Sequence, residues 1–357
     1  MSRTATTTPR GFSLTEILVV ISILVILIAI SVPAFKTLIS NSERTLSENQ
    51  IRVGLSAGRD AAIRAESGDG AAVFLFAEGR LRMVACVSVG FLIDTLETTG
   101  EPIRREVFAP VANIEPVTLP GGWSVRGYAT PGTFESPVNA CGWYENFPGR
   151  ALDGNWVFPE THFVSFEGSG VEARGVQRHS FMVRFKNASG TLDTADRSAV
   201  LVLDRVNDQS FRGAAPFSTA RADQAANLVA FARRVLNNTS LTAEDKRRLL
   251  GDESIDTILV RPVTEVAMYE ESTMIGRIGG RPNRETGTLY LPPDPAAAFA
   301  TFDPASLPAG LDQDETQARI NQWIQGQLDL GGSNAVESDA RIFMLQRYLG
   351  QVQEITP

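Results

Sequence analysis

The sequence predicts an α+β protein: a long N-terminal α-helix, membrane-spanning in its first half, packs on an antiparallel β-sheet head that carries an α-rich C-terminal extension. Three observations predict it: an apolar run near the N-terminus, an amphipathic stripe of helical period that continues this run, and a change to a period of two after residue 70. With 357 residues, 43% of them hydrophobic, the chain can bury a core in one large domain or two modest ones.

The N-terminus begins with a polar, basic stretch, MSRTATTTPRG, followed by an apolar run over residues 12–35 whose single charge is Glu16. A helix of this length spans about 36 Å, enough to cross a bilayer core of about 30 Å. Lipid forces backbone polar groups to pair internally, so the run should be helical. A secretory signal would have a shorter apolar core and a small-residue cleavage site after it. We therefore predict a transmembrane helix over residues 12–35 that follows a basic segment over residues 1–11.

Glu16 is an unusual residue for such a helix, because an acidic side chain inside a bilayer costs about 3 kcal/mol at the helix centre and less toward an end. Cleavage between Gly11 and Phe12 would expose an α-amine that is largely cationic near neutral pH. This amine, or that of a neighbouring subunit, could pair with Glu16. Such pairing would remove the penalty and fix the stagger between adjacent helices, so we predict that Glu16 directs assembly.

The segment Arg10-Gly11-Phe12-Ser13-Leu14-Thr15-Glu16 resembles the prepilin processing motif of type IV pilins and type II secretion pseudopilins. The resemblance implies that residues 1–11 are a leader, which a prepilin peptidase removes by cleavage after Gly11. It also implies N-methylation of Phe12 and an assembly role for Glu16. Pro33 lies where the family commonly has a helix-kinking proline. Arg10 stands where a lysine is frequent, which keeps the charge. The alternative for this segment is an uncleaved signal anchor.

The positive charges Arg3 and Arg10 flank the apolar run on its N-terminal side. Under the positive-inside rule that end stays cytoplasmic, and everything after Lys36 lies on the far side. We therefore expect a single-pass protein of the bacterial inner membrane whose head is extracytoplasmic, either periplasmic or in an extracellular filament.

Residues 36–65 are predicted to continue the helix with one apolar face. Gly54 and Gly58 lie one turn apart and would permit close approach of a strand, and residues 67–70, SGDG, end the helix. The apolar stripe has spacings of three and four residues and includes Leu38, Ile39, Leu46, Ile51, Leu55, Ala62 and Ile63. A helix of this length outside the membrane should pack against a globular domain.

Residues 66–206 are predicted to form the β head. Residues 73–76 and 81–89 alternate as a hairpin, and further strands are expected over 156–158, 163–166, 181–186 and 199–203, with a turn at 187–190. The segment Arg59-Asp60-Ala61-Ala62-Ile63 before this hairpin resembles the minor pseudopilins of the GspH/FimT type.

Residues 207–357 form the C-terminal extension, whose role the sequence leaves open. We expect helices over 220–236, 313–328 and 337–350, and a strand over 255–268. Thr242 and Asp245 resemble a capping box before another short helix. The extension could be a second domain or an elaboration of the first.

Few residues are candidates for other chemistry. Cys86 and Cys141 could form one disulfide after export, or remain two buried thiols. His162 and His179 lack the partners of a triad or zinc site, so we predict no catalytic residue, metal or cofactor. Arg277, Arg281 and Arg284 form a basic cluster that could contact an anion or be a solvated loop.

These observations predict a structural subunit, of minor abundance, of a type IV pilus or type II secretion pseudopilus. Its partners would be a prepilin peptidase, other pilin or pseudopilin subunits and the inner membrane. The net charge of −8 argues against general nucleic-acid binding. The alternatives are a binding module for polysaccharide, protein or DNA that uses residues 207–357, and a DNA-binding minor pilin that uses the basic cluster.

Overall fold

A computed structural model describes the protein as two compact units, residues 1–47 and 48–357. The described residues are 14–77, 80–95, 102–111, 114–129, 155–157, 161–163, 177–194, 200–203, 225–250, 257–282, 289–290, 313–328, 338–346 and 352–355.

The helices and strands follow a mixed order along the chain. The helices are α1 Leu14–Arg64, α2 Ala225–Leu236, α3 Ala243–Leu250, α4 Glu271–Ile278 and α5 Gln313–Ile324. The strands are β1 Gly70–Ala77, β2 Arg80–Thr95, β3 Pro102–Pro110, β4 Val117–Thr118, β5 Trp123–Ala129, β6 Asn155–Val157, β7 Thr161–Phe163, β8 Gln177–Phe185, β9 Val200–Leu203, β10 Thr257–Pro262, β11 Glu265–Glu270, β12 Arg281–Pro282, β13 Leu289–Tyr290, β14 Arg341–Leu345 and β15 Val352–Ile355.

The predicted long N-terminal helix is confirmed as α1, which continues through Pro33. Within its first unit, the hydroxyls of Ser22 and Ser31 donate to the carbonyls of Leu18 and Leu27 at 2.8 and 2.6 Å. Each serine thus satisfies its hydroxyl inside the helix, which suits an apolar surrounding.

The head is built on a sheet that closes on itself. Its order is β1-β2-β3-β9-β10-β8, and β8 pairs again with β1, while β4 and β7 extend it. The prediction of a simple antiparallel sheet is wrong, because β3 pairs with β9 and β8 with β10 in parallel. A period of two locates a strand but does not set the direction of its partner. Since β10 comes from residues 257–262, both sides of position 207 build this one sheet.

The inside of the closed sheet is filled by apolar side chains from all six strands. They are Ala71, Val73, Leu75, Val84, Cys86, Phe108, Met182, Val200, Val202 and Val260. Alternate residues on β1 and β8 point outward instead, where Phe74 and Phe181 stack with ring centroids 4.7 Å apart. The alternation gives the closed sheet an internal core and an outer apolar surface that other elements must cover.

The last turns of α1 cover part of that outer surface. Ile51 and Leu55 are almost fully buried there. A Cβ on Gly54 would lie 2.6 Å from the Met83 sulfur, and one on Gly58 would lie 2.5 Å from the Ala72 amide nitrogen. The predicted close approach of a strand at these glycines is confirmed, as is the β1–β2 hairpin on the apolar side of the helix.

A second sheet, in the order β15-β14-β11-β5-β6, packs one face against the outer apolar surface of the closed sheet and against α1. Its other face is covered by α4 and α5, where Trp156, Tyr269 and Trp323 are buried. The helix predicted over 337–350 is wrong over residues 341–345, which form β14. Phe343 and Leu345 are buried and Met344 is exposed, so a strand alternation overrides the apolar spacing that favoured a helix.

Helices α2 and α3 cover the outer faces of β2, β3 and β9. The predicted capping box is confirmed: the Asp245 amide donates to Thr242 Oγ1 at 3.1 Å, and the Thr242 amide donates to Asp245 Oδ2 at 3.2 Å. The helix predicted near 313–328 is also confirmed as α5, and the strand predicted over 255–268 is resolved into β10 and β11. The extension is therefore mixed rather than α-rich.

Candidate assembly helix and its seat in the head

Two of the three residues predicted for processing and assembly precede α1 in the sequence, and the third belongs to its first turn. Gly11 and Phe12 lie outside the described residues. The backbone of Glu16 lies in the first turn of α1, and its side chain is likewise outside what the structure describes. An acidic residue in the first turn complements the positive end of the helix dipole. The roles assigned to these three residues, and the bend at Pro33, stay predictions.

The first unit carries an apolar surface on every side of the helix. The large apolar side chains between residues 17 and 32 are 48% to 67% exposed: Ile17, Leu18, Val19, Val20, Ile21, Ile23, Leu24, Val25, Ile26, Leu27, Ile28, Ile30 and Val32. An isolated soluble chain rarely exposes such a surface, which marks a place where lipid or another protein chain belongs.

Measured over the described part of the chain alone, no helix combines the length and apolarity that a membrane crossing needs.

The second unit holds its part of α1 through charged as well as apolar contacts. Arg341 Nη1 of β14 lies 2.6 Å from Glu48 Oε1, and both side chains are mostly buried. The Arg52 guanidinium lies 5.9 Å from the centre of the Phe343 ring. Sequence reasoning missed these contacts because Arg341 is nearly three hundred residues from Glu48 along the chain. They place the second sheet directly against the helix.

A buried ionic cluster lies where one end of the closed sheet meets the start of β1. Arg184 Nη2 is 2.8 Å from Asp69 Oδ2 and 2.7 Å from Glu106 Oε2, and its Nε is 3.6 Å from Asp193 Oδ2. Ser88 Oγ donates to the other oxygen of Glu106 at 2.5 Å. A guanidinium with several donors can satisfy several carboxylates at once. We call these four charged residues the Arg184 cluster.

The sequence contained one signal for this cluster. Arg184 interrupts the apolar strand FMVRF at a position of the same parity as Met182, which points inside. A charge at an inward position requires buried partners. Which acids supply them depended on the tertiary fold, since they come from residues 69, 106 and 193.

A second buried polar group lies between the second sheet and its helices. Arg126 Nε donates to the Tyr269 hydroxyl at 3.2 Å, and Arg126 Nη1 donates to the Trp156 carbonyl at 3.0 Å. Burial raises the pKa of Tyr269, and Arg126 opposes that rise. The phenol is therefore neutral, and the group holds β5, β6 and β11 together.

The remaining predicted residues are dispersed. Cys86 is buried inside the closed sheet, while Cys141 lies outside the described residues, so the disulfide stays a prediction. The backbones of His162 and His179 lie on the paired strands β7 and β8.

The basic cluster is not gathered in one loop. Arg277 lies in the last turn of α4 and pairs with Asp339 at 2.9 Å, Arg281 is exposed on β12, and Arg284 lies outside the described residues. An anion contact at these three arginines stays a prediction. Within the described ranges, no group of three or more histidine, cysteine or acidic side chains is arranged to hold a metal ion.

Comparison with known proteins gives one match. Residues 8–32 match the family model of the prokaryotic N-terminal methylation motif. This is the prepilin-type signal of type IV pilins and pseudopilins, which are structural proteins. It implies processing by a prepilin peptidase, assembly with other pilin subunits and anchoring through the N-terminal helix. No curated protein and no solved structure matches the chain.

Proposed function

We propose that this protein is a minor subunit of a type IV pilus or of a type II secretion pseudopilus. One observation carries the proposal: the N-terminal methylation motif over residues 8–32 includes the start of α1, where the apolar side chains of residues 17–32 are exposed on every side of the helix. A prepilin peptidase cuts after Gly11, removing the leader 1–11, and Phe12 becomes the methylated N-terminus.

In this proposal residues 12–35 anchor the subunit in the inner membrane before assembly, and in the filament they pack laterally against other subunits. The N-terminus is cytoplasmic before cleavage, and the head is extracytoplasmic. Glu16 pairs with the new α-amine of a neighbour, because a carboxylate in an apolar bundle is stable only with a cationic partner. The chain itself carries out no catalysis.

The large head supports a minor rather than a repeated subunit. Within the described ranges, a second sheet and helices α2 to α5 are added around the closed sheet, and β14 occupies part of the surface of α1 in the head. Such a bulky head is harder to repeat along a helical filament. Finding this chain as the abundant, evenly spaced component of purified filaments would refute the minor role.

The processing step is tested by mass spectrometry of the protein isolated from membranes of a host with a prepilin peptidase. The expected N-terminus is methylated Phe12, and Gly11→Val should leave the leader attached. A wild-type chain that keeps residues 1–11 under these conditions would contradict the proposal.

Assembly is tested with Glu16→Ala. The variant should be inserted and cleaved but incorporated into filaments at least about tenfold less, because the α-amine of its neighbour loses its partner in an apolar surrounding. Glu43→Ala, on the same helix outside the apolar run, is the matched control and should assemble as wild type. Equal incorporation of both variants would contradict the proposal that pairing of Glu16 with the α-amine of a neighbour drives assembly.

A further inference from the structure

The end of α1 is capped by a turn that lies more than a hundred residues further along the chain. Asn187 Nδ2 donates to the carbonyls of Gly68, Ala65 and Ala62 at 2.9, 3.0 and 3.3 Å. The Ala188 amide also donates to the Ala62 carbonyl at 3.3 Å. The last carbonyls of a helix have no amide partner within the helix, so this turn supplies donors that α1 lacks.

The backbone conformation of this turn allows it to pack closely against α1. Ala188 and Gly190 have φ of 59° and 60°, and a Cβ on Gly190 would lie 2.8 Å from the Ile63 Cδ1 atom. A side chain at position 190 would therefore require the Ile63 and Arg59 side chains to move, and it would be strained at this positive φ. The sequence analysis found this turn from its residue types but not the helix end it caps.

The other side of the turn is tied to the Arg184 cluster. Asp69 Oδ1 accepts a hydrogen bond from the backbone N–H of Asn187 at 2.9 Å, and Asp69 Oδ2 accepts one from Arg184 Nε at 2.9 Å. The Ser88 amide donates to the Asp69 carbonyl at 2.8 Å. Residues 65–69, through which the chain leaves α1 and enters β1, are thereby bonded to β2 and β8 at the same time.

We propose that Asn187, Asp69 and Arg184 form a joint that transmits mechanical force from the end of α1 to several strands of the head. This proposal rests on the proposed function, in which α1 is held in a filament while the head experiences force outside it. A pull along α1 reaches the head through the packing of residues 48–58, which includes the Glu48–Arg341 pair, and then through the backbone of residues 65–69 into β1. The joint distributes that pull to β8 directly, and to β3 through Glu106.

The first test is hydrogen exchange of the full-length chain in detergent. Asn187→Asp keeps the side-chain shape but removes the donors, and Asn187→Leu removes them without adding charge. In both variants the amides of residues 61–69 should exchange about tenfold faster, since buried carbonyls lose their partners. The amides of β1 and β2 should change by less than about twofold. Asn238→Asp is the control: Asn238 is exposed and accepts a hydrogen bond from the Ser240 amide, which an aspartate can also accept.

The second test pulls single full-length chains between the start of α1 and Pro357. Both Asn187 variants should open at a lower force than wild type or Asn238→Asp. Equal opening forces, unchanged exchange, or an equal rise in exchange across the whole head would each overturn the joint. Neither measurement needs polymerisation, so a chain that never forms filaments would refute the proposed function and leave this result standing.

Discussion

The same helix places the same residue type in opposite surroundings in the two compact units. Ile26, in the first unit, is 58% exposed, whereas Ile51, in the second, is completely buried. In the first unit the apolar residues surround the helix, and in the second they form a stripe that the closed sheet covers. The head thus completes its own core, while the first unit needs lipid or other chains to cover it.

The largest expected effect follows from the shared construction of the head. A chain truncated after residue 206 loses β10, which lies between β9 and β8, and β14, which contacts α1. We expect this head not to fold cooperatively, because the closed sheet is opened and its interior reaches water. Circular dichroism melts of the full-length and truncated chains would show whether the truncated chain lacks a cooperative unfolding transition. A cooperative melt of the truncated chain would make residues 207–357 a detachable module.

The next effect concerns the buried charges of the head. Arg184→Leu leaves three mostly buried carboxylates without their shared guanidinium, and should lower the free energy of unfolding by about 3–5 kcal/mol. Arg277→Leu is the control, because its pair with Asp339 is nearly half exposed and should contribute less than about 1 kcal/mol. Denaturant melts measure both variants. Similar losses would mean that burial does not distinguish the two pairs.

A smaller effect tests how closely α1 packs against β1. Gly58→Ala would place a methyl group against the backbone of β1 and should cost about 1–3 kcal/mol, despite the better helix propensity of alanine. Gly276→Ala, in α4, meets no atom within 4 Å and should stabilise the helix by about 0.5–1 kcal/mol. An increase in stability on Gly58→Ala would show that the contact between α1 and β1 can relax to admit a methyl group.

The smallest effect is a pH dependence of stability at the start of β11, the central strand of the second sheet. Burial raises the pKa of the half-buried Glu265 at the start of β11. A raised pKa gives stability that is present below the unfolded value and is lost as the pH rises through the folded value. Glu265→Gln should therefore raise the free energy of unfolding near neutral pH and leave it unchanged at acidic pH, where Glu265 is protonated in both the folded and the unfolded state. Thermal melts at both pH values would test this, and an effect independent of pH would contradict it.

Local patterns in the sequence were sufficient for several elements. The β1–β2 hairpin, the close glycines Gly54 and Gly58, the capping box at Thr242 and the helix near 313–328 were all predictable. Each depends on residues within a few positions of one another. The N-terminal signal belongs to the same class, because its seven motif residues are consecutive.

Other elements could not be predicted because their determinants are far apart. The stripe Ile342, Leu345 and Leu349 fits a helix on spacing alone, but pairing with β11 makes residues 341–345 a strand. The partners of Arg184 and the donor that caps α1 also come from distant segments. Local propensity is weak enough for such contacts to override it.

The sequence alone determined that the chain has a prepilin-type signal, an apolar helix and an amphipathic continuation, because these properties follow from residue type and short-range spacing. Only the tertiary structure decided that the sheet closes on itself, that residues beyond 207 complete it, and that a distant asparagine caps α1. Those outcomes depend on which buried groups come into contact. Polar and charged groups that are removed from water need hydrogen-bonding partners, and these partners come from whichever segments the fold brings close to them.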